Sequence, residues 1–302
     1  MRAHARCVAL CAVAANAWAK VELPMWFGDN MVFQVNAEYG ARSFLNGKAD
    51  PGEKVVVQFN GGSSFPAVAD ENGEWEVQFN RGGVGCSTEN CGNVTVTGET
   101  DGDVHVAKNV VAGDVIFCSG QSNMVFPTKF AYNPQEEMAT LQSYKNMRFF
   151  ATARDYSPVP LWNLRKPGCK GEGCAMACDA EPCNQWLTVE QATAEQPGKL
   201  PKSPLPNTFL ANFSAVCFLT TRDIARMHTS KRPMALIQSA WGGTRVEAWM
   251  SSEAIAKAIP SAGSAPPVKG AQNNASVLYN AMVAPWNKFS VRAALWYQVS
   301  TC

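Results

Sequence analysis

Histidine is almost absent from this 302-residue chain: His4, His105 and His228 are the whole supply. Chemistry that needs an imidazole base therefore has three positions to draw on. Net charge is scarce too, at +1, so the chain lacks the basic footprint that a nucleic-acid partner or an acidic membrane surface would require. No run beyond the amino terminus approaches the ~20 apolar residues of a spanning helix, which excludes a membrane span.

Hydrophobic residues make up 46% of the chain and charged residues 17%, a folded globular composition with length for about two domains. Arg2, His4 and Arg6 precede a short apolar run over residues 7–15, and Ala17-Trp18-Ala19 has the small-x-small form of a signal-peptidase site. Residues 1–19 read as a signal peptide, and a secreted or lysosomal destination is the consequence. Of eleven cysteines, Cys7 and Cys11 leave with the signal and nine remain in an oxidising compartment. Cys86 and Cys91 are spaced to close a small loop. Cys169, Cys174, Cys178 and Cys183 crowd a Gly/Pro-rich stretch that needs cross-links to hold a shape. Four thiolates could bind zinc, but the quartet lacks a Cys-x-x-Cys pair, so disulfides are favoured and no metal is expected. Cys118 and Cys217 lie in apolar segments and are expected as buried free thiols.

Residues 20–111 carry short period-two segments at 54–59, 74–79, 93–97 and 104–106. Asp50-Pro51-Gly52, Asn60-Gly61-Gly62 and Glu71-Asn72-Gly73 supply turns between them, so a small antiparallel β-sandwich is expected. Trp75 or Phe65 could stack on a sugar there, although core packing is the commoner fate of such rings. From residue 112 the pattern becomes strand and helix in alternation. Strands are expected at 115–118, 233–238 and 293–298, with helices at 208–227 and 276–283, the latter ended by Pro285. Residues 155–207 form an irregular Pro-, Gly- and Cys-rich stretch, an insertion or a substrate-facing loop. Parallel pairing with right-handed crossovers would bring the strand ends carrying Ser122, Gly243 and Gln298 to one sheet edge. Asn93, Asn212 and Asn274 open glycosylation sequons, of which Asn212 starts a core-facing helix.

The run Val115-Ile116-Phe117-Cys118-Ser119-Gly120-Gln121-Ser122-Asn123-Met124 has the form of a buried strand delivering a serine. Gly120 permits a tight turn, and a serine just past a strand exposes its hydroxyl where open α/β sheets bind ligands. A lone Gly-x-Ser, without the second glycine of the usual elbow, fits an ordinary strand and polar loop as well.

That ambiguity narrows because further blocks come in order: Phe213-Ser214-Ala215-Val216-Cys217, Ser239-Ala240-Trp241-Gly242-Gly243-Thr244-Arg245-Val246-Glu247-Ala248-Trp249, and Leu295-Trp296-Tyr297-Gln298. Together with residues 114–124 they resemble the sialate O-acetylesterases, over roughly residues 23–298. The resemblance implies an α/β, SGNH-hydrolase-like (flavodoxin-like) parallel-sheet domain over residues 112–302. It also implies removal of acetyl esters from sialic acid hydroxyls through a serine acyl-enzyme, without metal or cofactor. Ser122 would be the nucleophile, its own backbone N–H and that of Gly243 or Gly242 would face the oxyanion, and Gln121, Asn123 and Gln298 would contact an O-acetylated sialic acid or another acetylated glycan.

The base does not carry over. The family's histidine lies in an Asp-x-x-His arrangement beyond the Trp-Tyr-Gln block. His105 sits in the β module and His228 at a helix end. Where the family has Gly-Glu-Ser-Asn, this chain has Val299-Ser300-Thr301-Cys302, with Cys302 in place of the oxyanion asparagine. A domain truncated at its carboxyl end, or mis-spliced, is the expectation. Deacetylation of another glycan such as xylan, and a non-catalytic glycan-binding role, stand as alternatives. For the signal peptide the expected outcome is a secreted product whose amino-terminal sequence begins at Lys20; a cytosolic product retaining Met1 would overturn it.

Overall fold

The computed structural model describes residues 20–34, 43–60, 62–79, 92–100, 102–169, 173–198, 205–227, 232–258 and 270–298. The signal peptide, the Cys86–Cys91 bridge, His4, His228 and residues 299–302 lie outside them.

Strands β1 (Val32–Gln34), β2 (Ser43–Lys48), β3 (Lys54–Phe59), β4 (Ser64–Val68), β5 (Glu74–Phe79) and β6 (Gly92–Gly98) precede the seventeen-residue β7 (Val104–Gly120). β2 and β5 pair antiparallel, and β4-β3-β6-β7 form a second antiparallel sheet. In β5 the alternation is strict: Trp75, Val77 and Phe79 are buried while Glu74, Glu76 and Gln78 face water. The apolar faces of the two sheets meet over a cluster of phenylalanines. Phe79 meets Phe59 at 5.0 Å and Phe65 at 5.1 Å between ring centroids, both edge-on, the arrangement that the ring quadrupole favours. Trp75 and Phe65 are therefore packing residues here, not an exposed sugar platform.

β7 changes character along its length. Up to Asn109, whose φ is 54°, it is partly exposed; from Val110 to Gly120 every residue is buried. That second half is the centre of a parallel sheet. β10 (Met234–Ala240) pairs with it on one side, residue 234 opposite 114 and 240 opposite 120, and β11 (Ala293–Tyr297) pairs on the other, ending with Tyr297 opposite Gly120. β8 (Met147–Ala151) lies beyond β10, and β9 (Trp186–Thr188) pairs antiparallel with β8. The sheet is thus mixed, and one strand runs straight through the 111/112 boundary expected from sequence.

Two expectations are corrected. The parallel strands stand in the spatial order β8-β10-β7-β11, whereas a flavodoxin-like order would set β8 next to β7. The 208–227 helix is two helices: after α1 (Pro134–Ala139) and α2 (Val189–Thr193) come α3 (Phe209–Asn212) and α4 (Ala215–Met227), with a corner at Phe213-Ser214. There the Ser214 N–H donates to Gln238 Oε1 at 2.8 Å, and the Ser214 hydroxyl accepts from the Cys217 N–H at 3.1 Å, capping α4. α5 (Ser252–Ala258) comes next, then a wide turn of π-helix at Tyr279–Val283 that runs into Pro285.

The described parts of residues 155–207 form an ordered insertion. Cys169–Cys174 and Cys178–Cys183 close two small loops, Thr188 and Gln191 make a capping box on α2, and Trp186 Nε1 donates to the Trp26 carbonyl at 2.7 Å. Asn212 is not a free acceptor for glycan, since its Nδ2 donates to Asn207 Oδ1 and the Thr208 carbonyl while its Oδ1 accepts from Lys129. No described helix is long and apolar enough to cross a membrane.

Cys118 and Cys217 are not free thiols. They form a disulfide with a Cα–Cα separation of 5.8 Å, joining the end of β7 to the first turn of α4 across 99 residues of sequence. Apolar flanks report burial, and burial suits a thiol and a disulfide alike. Non-reducing peptide mapping should recover Cys118–Cys217, Cys169–Cys174 and Cys178–Cys183. Cys217→Ala should lower stability by about 2–4 kcal/mol, because a long loop is released in the unfolded chain. Stoichiometric alkylation of Cys118 and Cys217 in the denatured, unreduced protein would contradict the pairing.

Candidate active site

The carboxyl end of β7 is clamped from both sides. The Trp241 N–H donates to the Gly120 carbonyl and the Gln121 N–H to the Tyr297 carbonyl, each at 3.1 Å. At Gly120 φ is 135°, and a Cβ there would lie 2.1 Å from the Tyr297 oxygen, so only glycine lets β11 close this tightly. The chain then turns: the Met124 and Val125 N–H groups both donate to the Gln121 carbonyl, at 2.8 and 3.0 Å. Met124 is buried and accepts a contact from the Ser214 hydroxyl at 3.5 Å, anchoring the turn to the core. Ser122, between these anchors, is exposed. Its hydroxyl donates to Gln121 Oε1 at 2.9 Å. Gln121 is buried, so it orients the hydroxyl, but a neutral amide cannot take its proton. Asn123 is exposed on the same turn.

Gly242 lies directly against this serine. A Cβ on Gly242 would stand 3.5 Å from Ser122 Cα, 3.6 Å from Ser122 Cβ and 3.6 Å from Val125 Cγ2. The preceding peptide is held by Thr244, whose hydroxyl donates to the Trp241 carbonyl at 2.6 Å and accepts from Trp249 Nε1 at 2.9 Å. In a trans peptide this turns the Gly242 N–H away from Thr244. Neither the Ser122 nor the Gly242 amide donates to another described residue. Gly243 comes next in the left-handed region, with φ at 73°. Gln298 reaches the rim, but its Nε2 donates to the Thr244 carbonyl at 2.9 Å, which ties the end of β11 to the glycine turn. Ser122, Gln121, Asn123, Gly242, Gly243 and Gln298 therefore meet at one sheet edge.

Other residues at this edge carried no sequence signal. Asn273 accepts from the Arg245 N–H at 3.0 Å and donates to the Gly243 carbonyl at 3.5 Å, bracing the turn. Arg154, just past β8, lies 5.8 Å over the Trp241 ring, donates to the Ala177 carbonyl and pairs with Asp179 at 3.5 Å. It pins the disulfide-ringed insertion beside the glycine turn. Burial pushes the Asp179 carboxyl above its ordinary range against the opposing pull of Arg154, and burial does the same to Asp155 against Arg165.

No base stands beside Ser122 among the described residues. His105 pairs with Asp103 at 3.1 Å near the start of β7, roughly 50 Å of strand before Gly120.

No family model matches the chain. Two sialate O-acetylesterases, from Pongo abelii and Homo sapiens, are each 31% identical to it over 193 residues, covering 63% of this chain and 31% of theirs. The sialate O-acetylesterase of Mus musculus is 26% identical over 221 residues, covering 63% of this chain and 35% of its own. The chain thus spans about a third of the length of the curated relatives it matches. Among solved structures, a carbohydrate acetylesterase from Xanthomonas citri shares the fold, with a TM-score of 0.64 over 93% of this chain and 52% of that one at 21% identity.

The two glycines should respond differently to substitution. Gly120→Ala meets backbone at a positive φ and should destabilise by about 2–5 kcal/mol, read from chemical denaturation. Gly242→Ala makes only ordinary contacts and should leave stability within about 1 kcal/mol of the parent. In a chain extended to carry a catalytic histidine, the added methyl group should nevertheless take space beside Ser122 that an acyl group needs and slow labelling by a fluorophosphonate probe. Equal stability loss in both variants would argue against this geometry.

Proposed function

We propose, on the premise that the chain is a relative of the sialate O-acetylesterases, that it is a carbohydrate O-acetylesterase working through Ser122 on acetyl esters of sialic acid hydroxyls. The observation that carries this reading is the approach of Ser122 to Gly242, whose two amides donate to no other described residue. In this reading residues 20–111 are a β-sandwich module fused to an esterase domain over residues 112–302. The three disulfides among the described residues fit an extracellular or secreted protein.

The chemistry divides into two halves. Ser122 Oγ adds to the acetyl carbonyl carbon as its proton passes to a base, and the carbonyl oxygen gathers negative charge that the Ser122 and Gly242 amides stabilise by donating hydrogen bonds. The tetrahedral centre then collapses, the C–O bond to the sugar breaks, and the departing sugar oxygen takes the proton back from the base. Water repeats the sequence on acetyl-Ser122, releasing acetate and restoring the hydroxyl. Gln121 holds the hydroxyl between turnovers, and Asn123 and Gln298 lie at the rim where sugar hydroxyls would come.

Residues 299–302 hold no histidine, and the resemblance gives the role of base to an Asp-x-x-His arrangement after the Trp-Tyr-Gln block. Loss of one triad member leaves only the ~10³–10⁴-fold catalysis of oxyanion hole and binding. The 302-residue chain should therefore release acetate from O-acetylated sialic acid slowly. A chain extended with Gly-Glu-Ser-Asn after Gln298 and a downstream histidine should gain at least about 10³-fold, and Ser122→Ala should abolish that gain. Turnover of the extended chain that survives Ser122→Ala would sink the mechanism.

A further inference from the structure

Three aromatic rings stand in water just past the nucleophile turn. Phe126 is 43% exposed, Phe130 47% and Tyr132 87%. The segment that carries them is held firmly. Pro127 bridges to Ser214, the Thr128 N–H and hydroxyl both donate to the Phe213 carbonyl at 2.8 and 2.9 Å, and the Ala215 N–H donates to the Phe126 carbonyl at 2.8 Å. Rings fixed in this way lose little freedom when something binds them. Phe126 and Phe130 lie 6.1 Å apart at 54°, and Lys129 Nζ sits 5.2 Å over the Phe130 ring. One ammonium donor goes to Asn212 Oδ1 at 2.8 Å, which leaves the others for a ligand.

The location gives these rings their meaning. The turn closed by the Met124 and Val125 N–H groups on the Gln121 carbonyl ends before Phe126, and four residues of chain keep the Phe126 Cα within about 14 Å of that of Ser122. Val125 Cγ2 already borders Gly242 and Ser122. Val125, which lies against Gly242, leads directly in the chain to Phe126, whose ring is paired with that of Phe130.

We propose that Phe126 and Phe130 form a stacking shelf for a neutral pyranose ring of the glycan that bears the acetylated sugar, with Lys129 donating to that ring's hydroxyls. The identity of the ligand rests on the acetylesterase reading above. A pyranose has an apolar C–H face and an edge of hydroxyls, matching two rings with an ammonium beside them. A protein partner fits less well, since rings of about 150–250 Å² each fall short of the ~800 Å² per side that a stable protein interface buries.

Calorimetric titration of the 302-residue chain with sialyllactose and with free N-acetylneuraminic acid tests the shelf. Neither probe carries an O-acetyl ester, so the outcome is separable from failure of Ser122 chemistry. The trisaccharide should bind about tenfold more tightly than the monosaccharide. Phe130→Ala and Phe126→Ala should each erase most of that advantage without changing monosaccharide affinity, and Phe130→Tyr should keep it. Both rings are nearly half exposed, so circular dichroism of the variants should match the parent. Equal affinity of the two probes for the parent, equal loss for both in the variants, or no binding of either would overturn the proposal. So would self-association of the parent that Phe130→Ala abolishes while sugar binding persists.

Discussion

The pairing of β7 on both edges is the constraint on which the molecule depends. From residue 114 to 120 the strand is hydrogen-bonded to β10, and from 116 to 120 to β11, so its last residues have no freedom of register. A slip of one residue would turn Ile116 and Cys118, which face the α4 side, towards the cluster that holds Val115 and Phe117. Because both neighbours end level with Gly120, the turn that presents Ser122 begins at a fixed height above the sheet. The disulfide to α4 and the burial of Met124 secure the two ends of that turn, and the serine is exposed on a base that cannot move with it.

The site is then assembled from strand ends and not from any one motif. β7 brings the serine, the end of β10 brings the glycines, β11 brings Gln298, and the end of β8 brings Arg154 and the insertion it pins. The glycine turn after β10 is braced through three of its carbonyls: Trp241 by Thr244, Gly243 by Asn273, Thr244 by Gln298. Glycine at 242 allows the approach, and the bracing of the surrounding carbonyls makes the approach repeatable. Such preorganisation is what a developing oxyanion requires of backbone donors.

The local signals were legible where side-chain type and backbone geometry agreed. The period-two segments at 54–59 and 74–79 are strands, and β-branched and aromatic content marked the buried run at 115–118, though not its full reach back to Val104. The residues at the cleft could be named because turn, glycine pair and strand ends sit in recognisable blocks. β8 escaped notice because Met147-Arg148-Phe149-Phe150-Ala151 contains an arginine. That guanidinium is buried, with Nη1 donating to the Lys145 and Met147 carbonyls, so its charge advertised a surface that does not exist. Missing β8 made the strand order unreadable, since order depends on which strand fills the place beyond β10. The bend at Phe213-Ser214 was hidden for a related reason: apolar spacing continues through it, and tertiary hydrogen bonds, from Ser214 to Gln238 and between the corner and residues 126–128, take up the backbone groups there.

A strand that belongs to two sheets at once also limits how the protein can be taken apart. β7 leaves the antiparallel pairing with β6 and enters the parallel pairing with β10 and β11 within a few residues around Asn109 and Val110, and β1 holds that crossing point. Cutting near residue 111 would strip the amino-terminal sheet of an edge and leave the other without the start of its central strand. The two halves are fused in their hydrogen bonding, so this chain does not recombine as a cassette: a transplant of either half must carry the whole of β7 with it.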